Sequence, residues 1–123
     1  MNWLDATLND FGRQLGLADL RFDQQGVVQL GFSDQGSLGI ERRDDEVLIY
    51  LVRPLDYHDA TLAERALKLV ERRQGWRFPV QTGSLPEQRL LFLTRLPHAA
   101  FTLPALEEAL QLLDRLHRQL AAR

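Results

Sequence analysis

Histidine is the usual first carrier of acid–base or metal chemistry near neutral pH. This chain has three, His58, His98 and His117, in three separate segments. They form no HExxH motif and no i,i+4 pair. A metal site built on them would need carboxylates to complete it. They read as polar surface or helix-end residues, with His117 at the rim of an interface. Ser33, Ser37 and Ser84 fall in no GxSxG motif, and the first two flank a turn, which turn chemistry explains. The glycines form neither GxGxxG nor GxxxxGK[ST]. Gly16, Gly36 and Gly75 read as caps and turns, while Gly31 and Gly39 fall inside strands. There they mark a bulge, close packing, or the approach of another backbone. Asp44-Asp45-Glu46 reads as a solvated hairpin turn rather than a cation site. Catalytic carboxylates need burial and a partner to shift their pKa values, and the pattern offers neither. With no cysteine, thiolate metal sites, disulfides and thiol nucleophiles are excluded. The expectation is no enzyme, no metal and no cofactor.

The elements are read from periodicity. Residues 2–16 form a helix capped by Asn2, with Leu4, Leu8, Phe11 and Leu15 as its apolar stripe and Gly16 as its stop. Residues 17–25 look irregular. Val27–Phe32 alternates, with Val28, Leu30 and Phe32 on one face. Asp34-Gln35-Gly36 turns the chain into Ser37–Arg42, and residues 43–46 turn it again. Val47–Val52 is apolar without interruption, which predicts a central strand covered on both faces. A second helix spans 60–74, with Asp59 as its cap and Gly75 as its stop. Phe78–Thr82 is a short edge strand, Gly83 to Glu87 a turn, and Arg89–Leu96 a further strand. Thr102 caps a last helix over 103–120, with Phe101 stapled onto Leu106. The order α-β-β-β-α-β-β-α predicts an α+β sandwich. Helices pack on a mostly antiparallel five-stranded sheet, in one domain over residues 1–123.

The 123 residues carry a formal net charge of -2, with 15 cationic and 17 anionic side chains interspersed. That balance argues against nucleic acid, whose binders carry a basic surplus. No stretch reaches 18 apolar residues, so no membrane span is expected. The segment MNWLDATLND has neither a basic nor an apolar signal region, so the protein is expected to act where it is made. Leu, Ile, Val and Phe supply 39 residues, ample for a core.

Apolar surface is in excess. The second helix presents Leu62, Ala63, Ala66, Leu67, Leu69 and Val70 over an arc of about 160°, wider than the roughly 100° one core face needs. Leu62, Ala66, Leu69 and Val70 therefore point to a dimer interface, with Trp76 just beyond them. The chain reads as a binding or oligomerising protein.

The stretches MNWLDATLNDFGRQLGL, SLGIERRDDEVLIYLVRPLDYH and FTLPALEEALQLLDRLHRQL resemble the class I chaperones of bacterial type III secretion, in particular the SycN-like subgroup. The resemblance runs over nearly the whole length. It implies a cytoplasmic virulence-associated chaperone, or one held peripherally at the secretion apparatus. Such a chaperone is dimeric through the second helix and the strands after it, and uses no ATP. It implies two partners: a secreted gatekeeper-like client, bound through its N-terminal segment in extended form, and a second small chaperone subunit or a second copy. One departure is charge, since many relatives are strongly acidic and this chain holds fourteen arginines. The client groove is expected between the first helix and the first two strands, at Trp3, Val27, Gln29, Gly31 and Gly39. Trp3 lies off the core stripe, and the glycines leave room for an added backbone. The competing expectation is a homodimeric α+β module for an apolar ligand or an unrelated protein.

Overall fold

The computed structural model describes residues 2–32, 36–55, 60–72 and 75–122. Its elements are α1 (Trp3–Gln14), β1 (Val27–Gly31), β2 (Ser37–Arg42), β3 (Glu46–Pro54), α2 (Leu62–Glu71), β4 (Val80–Leu85), β5 (Arg89–Pro97), a 3₁₀ turn (His98–Ala100) and α3 (Leu103–Ala121). The strands form one sheet in the order β1-β2-β3-β5-β4, every neighbour antiparallel. The expected α+β architecture is therefore the observed one, and β3 is the central strand that its apolar run predicts. Ser33, the Asp34-Gln35 turn, His58 and the Asp59 cap lie outside the described residues.

Local chemistry sets the helix ends. Asn2 accepts the Asp5 amide on its side-chain oxygen at 3.0 Å, satisfying one of the unpaired amides of the first turn. At the other end Gly16 takes φ 79°. Its amide donates to the Arg13 carbonyl at 3.1 Å, and the Leu17 amide to Gly12 at 2.8 Å, the two bonds of a Schellman stop. Leu4, Leu8 and Phe11 are buried as expected, but Leu15 is 45% exposed. Leu15 is the C-cap, where the backbone leaves the helix and the side chain leaves the stripe.

α3 begins at Thr102, whose hydroxyl accepts the Ala105 amide at 3.3 Å. Leu106, Ala109, Leu112, Leu113, Leu116 and Leu120 are all buried. Arg65 of α2 donates to the Leu120 and Ala122 carbonyls at 3.0 and 3.1 Å, joining α2 to the carbonyl end of α3. α2 is shorter than expected, because helical geometry starts only at Leu62 and ends at Glu71.

The β4–β5 hairpin corrects one boundary. The expected turn at Gly83 is strand, and Leu85 pairs with Arg89. The left-handed positions of the turn are Glu87 and Gln88, at φ 66° and 56°. Glycine is the usual signal for such positions, and here non-glycine residues hold them instead. Val28, Leu38, Ile40, Val47, Ile49, Leu51, Leu90, Phe92 and Leu96 share one core cluster with the buried residues of all three helices.

Candidate functional site

His117 is the one strongly shifted histidine among the described residues. It is 6% exposed, and its ring N–H donates to the Leu51 carbonyl at 2.8 Å. Phe92 packs against it edge-on at 4.8 Å. Burial lowers its pKa to about 4, against the opposing pull of the Leu51 carbonyl. His117 is thus a core residue rather than an interface rim, because its position on α3 turns it into the sheet. His98 donates to the Arg43 carbonyl at 2.8 Å. Among the described residues no group of three His, Asp or Glu could hold a metal ion, and no helix is long and apolar enough to cross a membrane.

The register of the sheet defines a second face. Three cross-strand rows run over it: Val27, Glu41, Leu48 and Arg95; Gln29, Gly39, Tyr50, Leu93 and Gln81; Gly31, Ser37, Val52, Leu91 and Gly83. None of these residues belongs to the core cluster that the helices share. Leu48 and Val52 are nonetheless 8% and 5% exposed, while Tyr50, Leu91 and Leu93 are half-buried. Both sides of β3 are apolar, as expected, but among the described residues only one carries helices.

Tyr50 organises the middle row. Its hydroxyl donates to Glu41 at 3.0 Å, and Glu41 accepts from Arg43 at 2.8 Å. Burial raises the Tyr50 pKa; a hydrogen bond with the Gln29 side chain opposes the shift and Glu41 reinforces it. A Cβ built on Gly39 would stand 2.1 Å from the Tyr50 ring, whereas one on Gly31 meets nothing within 4 Å. The space expected above Gly39 is therefore already filled, and the space above Gly31 is open. Sequence reasoning missed Tyr50, because only the pairing register sets it over a glycine.

β1 and β4 are the two edges of the sheet. Toward the β2 side, the Gly26 carbonyl accepts the Arg42 amide at 2.7 Å and the Phe32 amide donates to the Gly36 carbonyl at 2.8 Å. By the alternation of an antiparallel ladder, Val27, Gln29 and Gly31 turn their amides and carbonyls outward. At β4, the Arg95 amide bonds Pro79 at 3.3 Å, so Val80, Thr82 and Ser84 point outward.

The remaining expected residues fall as follows. Val27, Gln29, Gly31 and Gly39 lie on the helix-free face. Trp3, 47% exposed, is on α1 and so on the other side of the sheet. Leu62, Ala66 and Val70, expected at a dimer interface, instead point into the chain's own core. The outward side of α2 carries Ala63 and the 53% exposed Leu67, with Leu69 half-buried between the two sides. Trp76 is half-buried, and its indole donates to Thr94 at 2.8 Å. Beside it, Gly75, Arg77, Phe78, Ala105 and Glu108 line an open cleft of about 480 Å³.

A five-stranded antiparallel sheet in this order, with three helices on one face and free edges, is the fold of type III secretion chaperones. The ExsC-ExsE complex contains a chain that superimposes at a TM-score of 0.75 with 17% identity, over 96% of this chain and 93% of that one. The Yersinia pestis type III secretion chaperone SycH, solved with a stable fragment of YscM2, superimposes at 0.67 with 13% identity, over 94% and 98%. Sequence narrows the class. Residues 3–121 match the model of the family described as type III secretory system chaperone SycN, and the chain belongs to that family. The chaperone protein SycN of Yersinia enterocolitica is 27% identical over 123 residues, with 99% of each chain covered.

Proposed function

We propose that this protein is a non-enzymatic secretion chaperone of the bacterial cytoplasm, working in part at the secretion apparatus. It binds the N-terminal segment of a secreted gatekeeper-type protein in extended form. It works as a dimer, with a second small chaperone or with a second copy. Membership of the SycN family supports the class. The observation that carries the mode of binding is the open edge of β1 beside a helix-free, partly apolar face. An extended segment gains backbone hydrogen bonds from such an edge and specificity from alternate side chains. The client is disordered when free, so roughly 2–5 kcal/mol of contact energy goes into ordering it.

The outward side of α2 is the proposed dimer seam. Leu67 is its largest exposed apolar side chain, beside the Glu64–Lys68 ion pair, and Leu69 sits at its margin. Co-expression with the neighbouring secretion genes, followed by pull-down and mass measurement, tests the whole reading. The expected result is a complex of this chain, one further small chaperone or a second copy, and one secreted protein. Recovery of the chain alone as a monomer would sink it. Leu67→Glu tests the seam without touching the core: the complex should lose a subunit in sedimentation while melting temperature stays within about 2 °C.

A further inference from the structure

Three outward-facing positions would make β1 a continuous template, but the first is already taken. The Val27 amide donates to the Asp23 carboxylate at 2.9 Å, and the Asp23 amide donates to the Val27 carbonyl at 2.9 Å. The same carboxylate oxygen accepts the Gln25 amide at 2.8 Å. Both outward groups of Val27 are thus satisfied by one residue of the preceding loop. Among the described residues, no such bond meets the outward groups of Gln29 and Gly31.

We infer that Asp23 fixes the register of a strand added to β1, by closing the edge at Val27 and leaving Gln29 and Gly31 as its only pairing positions. The inference rests on the proposed binding of an extended client segment, and it adds where that segment begins to pair. Unpaired edges invite promiscuous pairing, and proteins blunt them with local features of this kind. Side chains alternate between faces, so the added strand's chemistry follows. Its residue opposite Leu30 lies on the helix side, next to a half-buried leucine and the 41% exposed Phe32, and should be apolar. Its residue opposite Gly31 lies on the helix-free face, where a side chain meets open space, and can be large.

The test is amide hydrogen exchange by NMR, on the full chain alone and bound to the N-terminal hundred or so residues of the secreted protein that co-purifies with it. In the free chain the Val27 amide should be protected and those of Gln29 and Gly31 should exchange freely. Binding should slow Gln29 and Gly31 by tenfold or more and leave Val27 unchanged. Asp23→Ala should speed Val27 exchange in the free chain by tenfold or more. In its complex, protection should then spread to Val27, an extension that a merely structural turn would not produce. Asp23→Asn keeps the acceptor and should behave as wild type. Gly31→Pro removes one outward donor but no bond to β2, and should weaken binding at least tenfold. A complex that forms while Gln29 and Gly31 exchange at their free rates overturns this inference and leaves the chaperone reading standing. Failure to form any complex overturns both.

Discussion

On the helix side of β5, Leu90, Phe92, Thr94 and Leu96 are at most 2% exposed, whereas on the opposite side Leu91, Leu93 and Arg95 are only half-buried. The two faces of this strand differ little in hydrophobicity. They differ in what lies over them. Three helices seal one face into a single core, and the other meets none among the described residues. Thr94 shows how tightly the sealed side is built. Its hydroxyl accepts from Trp76 and donates to the Pro79 carbonyl, both at 2.8 Å, so the desolvation cost of a polar group at zero exposure is offset by two hydrogen bonds. Under the proposed function, that uncovered face and the edge beside it are where the client segment would bind.

The sharpest way to break the comparison is to truncate matched residues on the two sides. Phe92→Ala leaves a large hole in the sealed core and should cost about 3–5 kcal/mol in urea unfolding. Leu93→Ala, its neighbour on the other face, should cost about 1 kcal/mol or less but weaken client binding. Equal losses of stability would mean that the second face is core as well.

On the sealed side, acid acts through His117. Unfolded His117 takes a proton near pH 6.5, whereas in the fold it stays neutral down to about 4. Between those values the unfolded state binds more protons, so stability falls as the pH drops. The full contribution is present above pH 6.5. A shift of this size corresponds to about 3 kcal/mol lost by pH 4. His117→Gln keeps a donor for the Leu51 carbonyl and should flatten that part of the pH dependence. An unchanged slope, measured by urea unfolding from pH 4 to 7, would remove His117 as its source.

The smallest effect sharpens the map of the open face. Gly39→Val should displace the Tyr50 ring and cost roughly 1–3 kcal/mol, with much of the loss recovered when Tyr50→Ala is added. Gly31→Val should leave stability within about 0.5 kcal/mol. Equal effects at the two glycines would show that the register does not distinguish them.

The chain carries its element order openly. Asn2, Gly16, Thr102 and the leucine spacing of α3 act over one or two helical turns, so their signals are local and the sequence alone determines them. The uninterrupted run Val47–Val52 likewise marks a central strand from composition. Other features depend on partners far along the chain. The arc of α2 is apolar from Leu62 to Val70, yet only packing against α3 and β4 separates the buried Leu62, Ala66 and Val70 from the exposed Leu67. The register setting Tyr50 over Gly39 spans 11 positions of sequence separation and has no local signature. His117 looks like any polar interruption of a leucine face until the Leu51 carbonyl, 66 residues away, is seen to accept a hydrogen bond from its ring N–H. Trp3 and Gln29 both look available for binding, but the sheet lies between their sides. Helix caps and strand periodicity are short-range sterics and hydrogen bonding, legible in the residues themselves. Which apolar face is covered, and which edge pair is already closed, depends on long-range packing and register, and only the tertiary structure decided those.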